Sequence, residues 1–244
     1  MSARDERPLA AVPGVLFAAL FAALTAQICW QTAQPKPVAR AEELGPPFAV
    51  SALRVASLGE PVALAQMLTL YLQAFDNQPG ISIPFRELNY ARVIDWLQTI
   101  LTLDPVTQYP LLMATHLYGQ VPDHARERLM FNFVHEQFRK DPNRRWRWLA
   151  NAALLCKHRL KDLPLALSYA REIAEFAPAA PAWARQMHII LLEDMGEIES
   201  AKIVIGGLLE NGDIKDEYEL RFLIDRLKSL DEKKVEKSSS SSRN

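Results

Sequence analysis

The sequence predicts an all-α fold: a solenoid of stacked helical hairpins, an α-α superhelix, preceded by one transmembrane helix. Three observations predict it. Apolar residues recur at three- and four-residue steps in successive stretches between Pro61 and Leu230. Asp104-Pro105, Asp141-Pro142 and Ala177-Pro178 each close such a stretch, with the prolines 37 and then 36 residues apart, and Trp148 and Trp183 repeat 35 apart. A fixed period in this range marks an array of helical hairpins, each of which buries its apolar face only by stacking on a neighbour. Near the N-terminus, no charged residue occurs between Pro8 and Pro35.

Composition narrows the function classes. Apolar residues make up 49 % of the 244, ordinary for a globular chain. The 28 Lys and Arg balance 29 Asp and Glu for a formal net charge of −1, so there is no electrostatic case for a nucleic-acid partner. Of the two cysteines, Cys29 lies in the apolar N-terminal run and Cys156 in a predicted helix of the folded region. Membrane placement of the first rules against a bridge between them, and Cys156 reads as a small buried apolar residue.

Residues 1–8 form a short tail and residues 9–30 the membrane helix. Twenty-two residues at 1.5 Å each reach about 33 Å, enough for a hydrocarbon core of about 30 Å. Trp30 would mark the far interface. The rival reading is a cleaved signal peptide, although Leu24-Thr25-Ala26 fits a small-x-small cleavage site poorly. Arg4 and Arg7 on one side are matched by Lys36 and Arg40 on the other. The short arginine-bearing tail favours a signal anchor that leaves the folded domain outside the cytoplasm, periplasmic in a bacterium.

Residues 31–55, with Gln34-Pro35-Lys36-Pro37 and Gly45-Pro46-Pro47, read as linker. Residues 56–230 are the helical domain. Helices are expected at 61–75, with Leu64, Met67, Leu68, Tyr71, Leu72 and Phe75 as the inner face, then at 85–103, 109–118, 126–140, 146–158, 164–176, 183–195, 198–209 and 216–230. Ile81-Ser82-Ile83-Pro84 alternates like a strand but has no evident partner, and reads as loop. The last helix presents Leu220, Leu223, Ile224 and Leu227 inward and charges outward, as the end of an array requires. Residues 231–244, basic and then serine-rich, are expected to be disordered.

Between about residues 85 and 212 the hairpins resemble tetratricopeptide repeats. The first-helix series reads Leu111, Ala114-Thr115, Tyr118; then Trp148, Asn151-Ala152, Leu155; then Trp183, Gln186-Met187, Ile190. The second-helix series reads Val93, Leu97, Pro105; Met130, Val134, Pro142; Leu165, Tyr169, Pro178; and Ala201, Ile205, with Gly212 in place of proline. The family's Leu-Gly pair is absent, and its small second-helix residue occurs only as Ala201. The resemblance implies a TPR-like scaffold with no catalytic centre and no cofactor.

Other chemistry finds no motif. There is no phosphate loop and no nucleophile elbow. Gly206-Gly207 falls inside a helical pattern and reads as a place of close helix packing. His116, His124, His135, His158 and His188 include no pair at the i, i+4 spacing of a zinc helix. Arg144-Arg145-Trp146-Arg147-Trp148 is the densest cluster of binding-type residues. In one reading Trp148 is core and the arginines are an exposed first turn; in another they grip an acidic peptide.

The expected function is therefore a membrane-anchored scaffold or assembly helper that binds a partner protein in the bacterial cell envelope. The resemblance places partner-binding residues on the first helix of each hairpin. These are Tyr109, Leu112 and His116; Trp146, Leu149, Ala153 and Lys157, with Arg145 beside them; and Ala184 and His188. The alternative is an accessory subunit of a membrane enzyme or transporter that contacts its complex through the membrane helix Leu9–Trp30.

Overall fold

The computed structural model describes residues 13–34, 41–210 and 216–241, with side chains to Glu232. Twelve α-helices account for most of these residues, and two two-residue strands are all the sheet among them. Contacts place α1 (Gly14–Ala33) in one unit and the chain from Glu42 onward, apart from the Pro79–Ile81 tip, in another.

By itself α1 is a 20-residue helix without a charged or buried residue, about 30 Å long and apolar enough to cross a membrane. It runs three residues beyond the expected Trp30 because nothing before Pro35 stops it. It is described from Pro13, which sits at its N-cap with φ −55°, a position where the missing N–H costs nothing. The expected start at Leu9 and the tail 1–8 lie outside the described residues.

The second unit begins inside the stretch expected to be linker. Leu44 is buried, and α2 (Val50–Ala56) is a helix whose Leu53 enters the core. A turn through Leu58 and Gly59 leads to α3 (Pro61–Ala74). There the predicted inner face is rotated: Ala65, Thr69 and Leu72 are buried, while Met67 and Tyr71 are 67 % and 48 % exposed. Asn77–Gln78 (β1) and Ile81–Ser82 (β2) form a minimal sheet, so the expected loop at Ile81 does find a partner. Its signal was Pro79-Gly80, with Gly80 at φ +79°.

From here each helix packs on the next in chain order: α4 (Tyr90–Leu103), α5 (Tyr109–Leu112), α6 (His124–Lys140), α7 (Pro142–Leu155), α8 (Leu163–Phe176), α9 and α10 (Ala182–Arg185, Met187–Asp194), α11 (Ile198–Glu210) and α12 (Glu217–Ser241). Two start signals alternate. Asn89, Asp123 and Asp162 cap α4, α6 and α8, each side chain accepting from backbone N–H groups one turn in. The bond from the Leu165 N–H foremost, and the Arg128 guanidinium after it, hold the Asp162 carboxyl below its usual pKa against the opposing effect of burial. Prolines instead open α5, α7 and α9, where Pro110 and Pro142 occupy the first turn and Pro181 the N-cap.

α5, α7 and α9 run into irregular turns, where α4, α6 and α8 are unbroken α-helix, α8 with Pro164 in its first turn as well as its cap. A π-helical turn, Met113–Leu117, and a 3-10 turn, Tyr118–Gln120, extend α5, and a π turn, Cys156–Leu160, extends α7. A break at Gln186 divides the helix expected at 183–195. Gly119 permits the α5 extension: a Cβ there would lie 2.5 Å from the Ala114 carbonyl and 3.0 Å from the Phe131 ring. By contrast, a Cβ at Gly206 or Gly207 would meet nothing within 4 Å among the described residues, so close packing is not their role.

The core runs along the seams between helices, through Val93, Leu97, Leu111, Tyr118, Phe131, Val134, Phe138, Leu149, Tyr169, Ile173 and Ile205. Tyr90 donates to the Tyr118 carbonyl at 2.9 Å, and burial pushes its pKa up to about 12. Cys156 is fully buried, with its thiol also pushed up to about 12, which makes it an inert filler. At the C-terminal end α12 continues to Ser241, through part of the segment expected to be disordered. No glycine or proline occurs after Gly212, and the Lys- and Glu-rich run has good helix propensity.

Candidate functional site

The six residues expected to bind a partner do not converge on one surface. Tyr109, 42 % exposed at the start of α5, donates to Gln73 at 3.2 Å. His116 is exposed in the π turn, its Nε2 2.6 Å from Asn151 Nδ2 and its ring edge-on to Trp148 at 6.4 Å. Trp148 is half-buried rather than central, its indole N–H donating to Gln108.

Arg145 is inside the protein. Its guanidinium donates to the Gln137 carbonyl at 2.9 Å, the Gln137 side chain at 3.1 Å and the Pro105 carbonyl at 3.1 Å. Burial pulls its pKa below the usual arginine value, with Asp141 acting in the opposite sense. It is therefore a structural staple and not a contact for a ligand. Lys157 is half-buried and paired with Asp194. Leu149, Ala153 and Ala184 are fully buried and so line the seams between helices, not a free surface.

His188 is buried as well. Burial pushes the imidazole pKa down, with the Arg185 backbone acting to raise it and the Arg171 charge to lower it. The unfolded chain, with an ordinary histidine pKa near 6.5, then binds a proton that the folded one refuses. Stability from this group is full above that pH and is lost as pH falls below it. Between pH 7.5 and 5.5 the Tm of the protein should drop, and His188→Leu should reduce the drop; an equal drop in both would refute the assignment.

Trp146 is half-buried and packs on a residue of an open groove without lining the groove itself. Its ring meets that of Trp183 edge-to-face at 5.6 Å, and Arg147 lies over it at 5.7 Å from the ring centre. Trp183, 57 % exposed, is also part of a groove of about 400 Å3. One wall is Ala182, Trp183, Gln186 and Ile190 from α9 and α10; the other is Asp216, Tyr218, Glu219 and Phe222 from the start of α12. Four large apolar side chains stand open there: Trp183, Ile190, Tyr218 and Phe222.

Polar contacts fix the walls. The break at Gln186 turns its side chain to donate to Glu219 at 2.6 Å, and Arg185 pairs with the same carboxylate at 3.6 Å. Arg226 forks onto Glu193 at 2.6 and 2.7 Å and clamps α12 to α10. What remains for a ligand is an aromatic cleft with carboxylates at its rim and Arg147 nearby. An apolar cleft with a few polar groups at its rim has the general form of a binding site.

Sequence reading had Trp183 and Ile190 as repeat positions and not as site residues, and singled out neither Tyr218 nor Phe222. The signal for the last two was present: an aromatic pair at i, i+4 on the side of α12 assigned to charges. Comparison with protein-family models, with curated proteins and with solved structures finds no match to this chain.

Proposed function

We propose that this chain is a membrane-anchored, tetratricopeptide-like scaffold or assembly helper of the bacterial cell envelope, which holds an apolar segment of a partner protein in the groove between α9–α10 and α12. The observation that carries the reading is the open aromatic wall of that groove, continued by the Trp146–Trp183 pair. Monomeric proteins bury such side chains unless something else covers them.

Two further features support a repeat scaffold. Helices pack on their neighbours in chain order, as in a quasi-one-dimensional array. Many long-range polar contacts also join residues one period apart: Trp148 to Gln108, Asn151 to His116, Tyr169 to Asn132 and Ala179 to Asn143. The apolar α1 supports the anchor, and the arginines of residues 1–8 favour a domain outside the cytoplasm.

The test uses the whole membrane-embedded protein with a photo-crosslinking residue at Tyr218, which is 83 % exposed. A discrete adduct is expected. It should fall roughly thirtyfold in apparent affinity, about 2 kcal/mol, in Trp183→Ala, with Tm almost unchanged because that ring is open. An adduct indifferent to Trp183→Ala, or the same adduct from a crosslinker at Leu129 on α6, would refute the groove.

The second reading, an accessory subunit joined to its complex through α1, has one observation of its own. Gln27 and Gln31 lie one turn apart and line a shallow hollow with Leu24, Ile28 and Thr32. Side-chain amides on a membrane helix hydrogen-bond to neighbouring helices. Exchanging α1 for an unrelated membrane helix separates the two, since a groove binder keeps its adduct.

A further inference from the structure

We propose that the α2–α3 hairpin lies on the bilayer surface, with the outer face of α3 and the turn at Leu58 sunk into the headgroup–acyl boundary. This rests on the reading of α1 as a membrane helix.

The face in question is unlike the protein's other open helix faces. Between Val50 and Phe75 the only charged residues are Arg54 and Glu60, and α3 itself has none. One side of α3 is occupied, with Ala65, Thr69 and Leu72 buried where it packs on α4. The opposite side exposes Ala63, Met67, Leu70 and Ala74, which fall within one narrow stripe at 100° per residue. Tyr71, 48 % exposed, flanks the stripe on one side; on the other lie the exposed, uncharged Gln66 and Gln73, with Val62, 46 % exposed, beyond them. A helix facing water carries charge on that side, as α7 does with the exposed Arg144 and Arg147. An uncharged helix that keeps an apolar stripe on its open side is suited to a second apolar neighbour there.

The turn before α3 points to the same neighbour. Leu58 is 92 % exposed and held at φ +51°, a conformation bulky side chains seldom take, followed by Gly59 at φ +94°. Val55 and Phe48 are 78 % and 73 % exposed. Together α2 and α3 are as apolar as a membrane span but are bent by 112°. Fourteen residues give α3 only about 21 Å, and its α4 side is already covered, so it fits the interface and not a crossing.

Chain length selects the bilayer over other occupants. Eight residues, 34–41, separate the end of α1 from Glu42, and at about 3.5 Å each they reach no more than about 30 Å. In chain order the first helices after this tether are α2 and α3. With Arg54 and Glu60 cancelling, insertion is driven by apolar burial, needs no anionic lipid and resists salt.

The experiment uses the full chain in phosphatidylcholine vesicles, with Cys29→Ser removing the exposed native thiol and Leu70→Cys carrying an environment-sensitive fluorophore. Leu154→Cys, on the open face of α7, is the control. The label at position 70 should emit to the blue of the control. Lipids spin-labelled near the headgroup should quench it at least threefold more strongly, equally in low and 0.5 M salt (about a 4 Å Debye length). A floating protein with water-like, unquenched emission at position 70 overturns the docking alone. A blue shift that lipid quenchers do not touch, and that fades as protein is diluted in lipid, assigns the face to a second copy and also overturns it. A chain that fails to float with the vesicles overturns the membrane reading, and the docking with it.

Discussion

Replacing Arg145 with alanine is expected to lower stability by about 3–4 kcal/mol and the Tm by about 10 °C. The side chain is 4 % exposed and serves two places at once. Its bonds to Gln137 satisfy a carbonyl in the last turn of α6, where helices leave such groups unpaired. Its bond to Pro105 holds the loop that follows α4. Alanine leaves both carbonyls and the Gln137 side chain without this donor, in a site water does not reach. Arg145→Lys should recover little, because an ammonium cannot span acceptors set for a planar fork. Thermal unfolding of the full chain in detergent measures this. A loss under about 1 kcal/mol would mean that the guanidinium is free in solution and that the exposed-turn reading of Arg144–Arg147 was right.

Glu127→Ala is expected to cost about 2–3 kcal/mol. The carboxylate is 1 % exposed at the start of α6 and accepts from Arg159 Nε at 2.8 Å and from its Nη2. Arg159 also donates to the carbonyls of Gln120 and Val121, so one ion pair ties the π turn of α7 to the turn between α5 and α6. Alanine strands the guanidinium. The figure is set below that of a wholly buried pair because Arg159 remains about a third exposed and water relieves it. Glu127→Gln should lose less, and the double variant Glu127→Ala with Arg159→Met should recover part of the loss. Additive losses in that cycle would show that the two side chains do not act as a pair.

Both residues show why the site was less legible than the fold. Arg145 sits among arginines and tryptophans, and by composition that run is a binding patch. Its burial depends on Gln137 and Pro105, 8 and 40 residues upstream. Lys157 likewise finds Asp194 across a seam. Local sequence says which residue types could bind, but not which are already engaged by the neighbouring hairpin. Trp146 was legible because its ring type suits both seam and surface. Phe222 was overlooked because its helix was assigned one apolar face when it has two.

The sequence by itself determined the helical class, the order of the main helical stretches from Pro61 to Leu230 and the apolar N-terminal helix. Each of these follows from periodicity, caps and prolines within one or two turns of chain. It also placed the inert Cys156, since a small apolar side chain on an inner face has one natural fate. Tertiary structure decided the rest: that α3 turns Met67 and Leu70 outward, that α2 folds out of a proline-rich stretch, that α9 and α10 break at Gln186, and that Trp183 opens into a groove. The physical reason is common to all four. A helix rotates, bends or breaks to fit the neighbour on which it stacks, and the shape of that seam is set by side chains about one period away, beyond the reach of any local pattern.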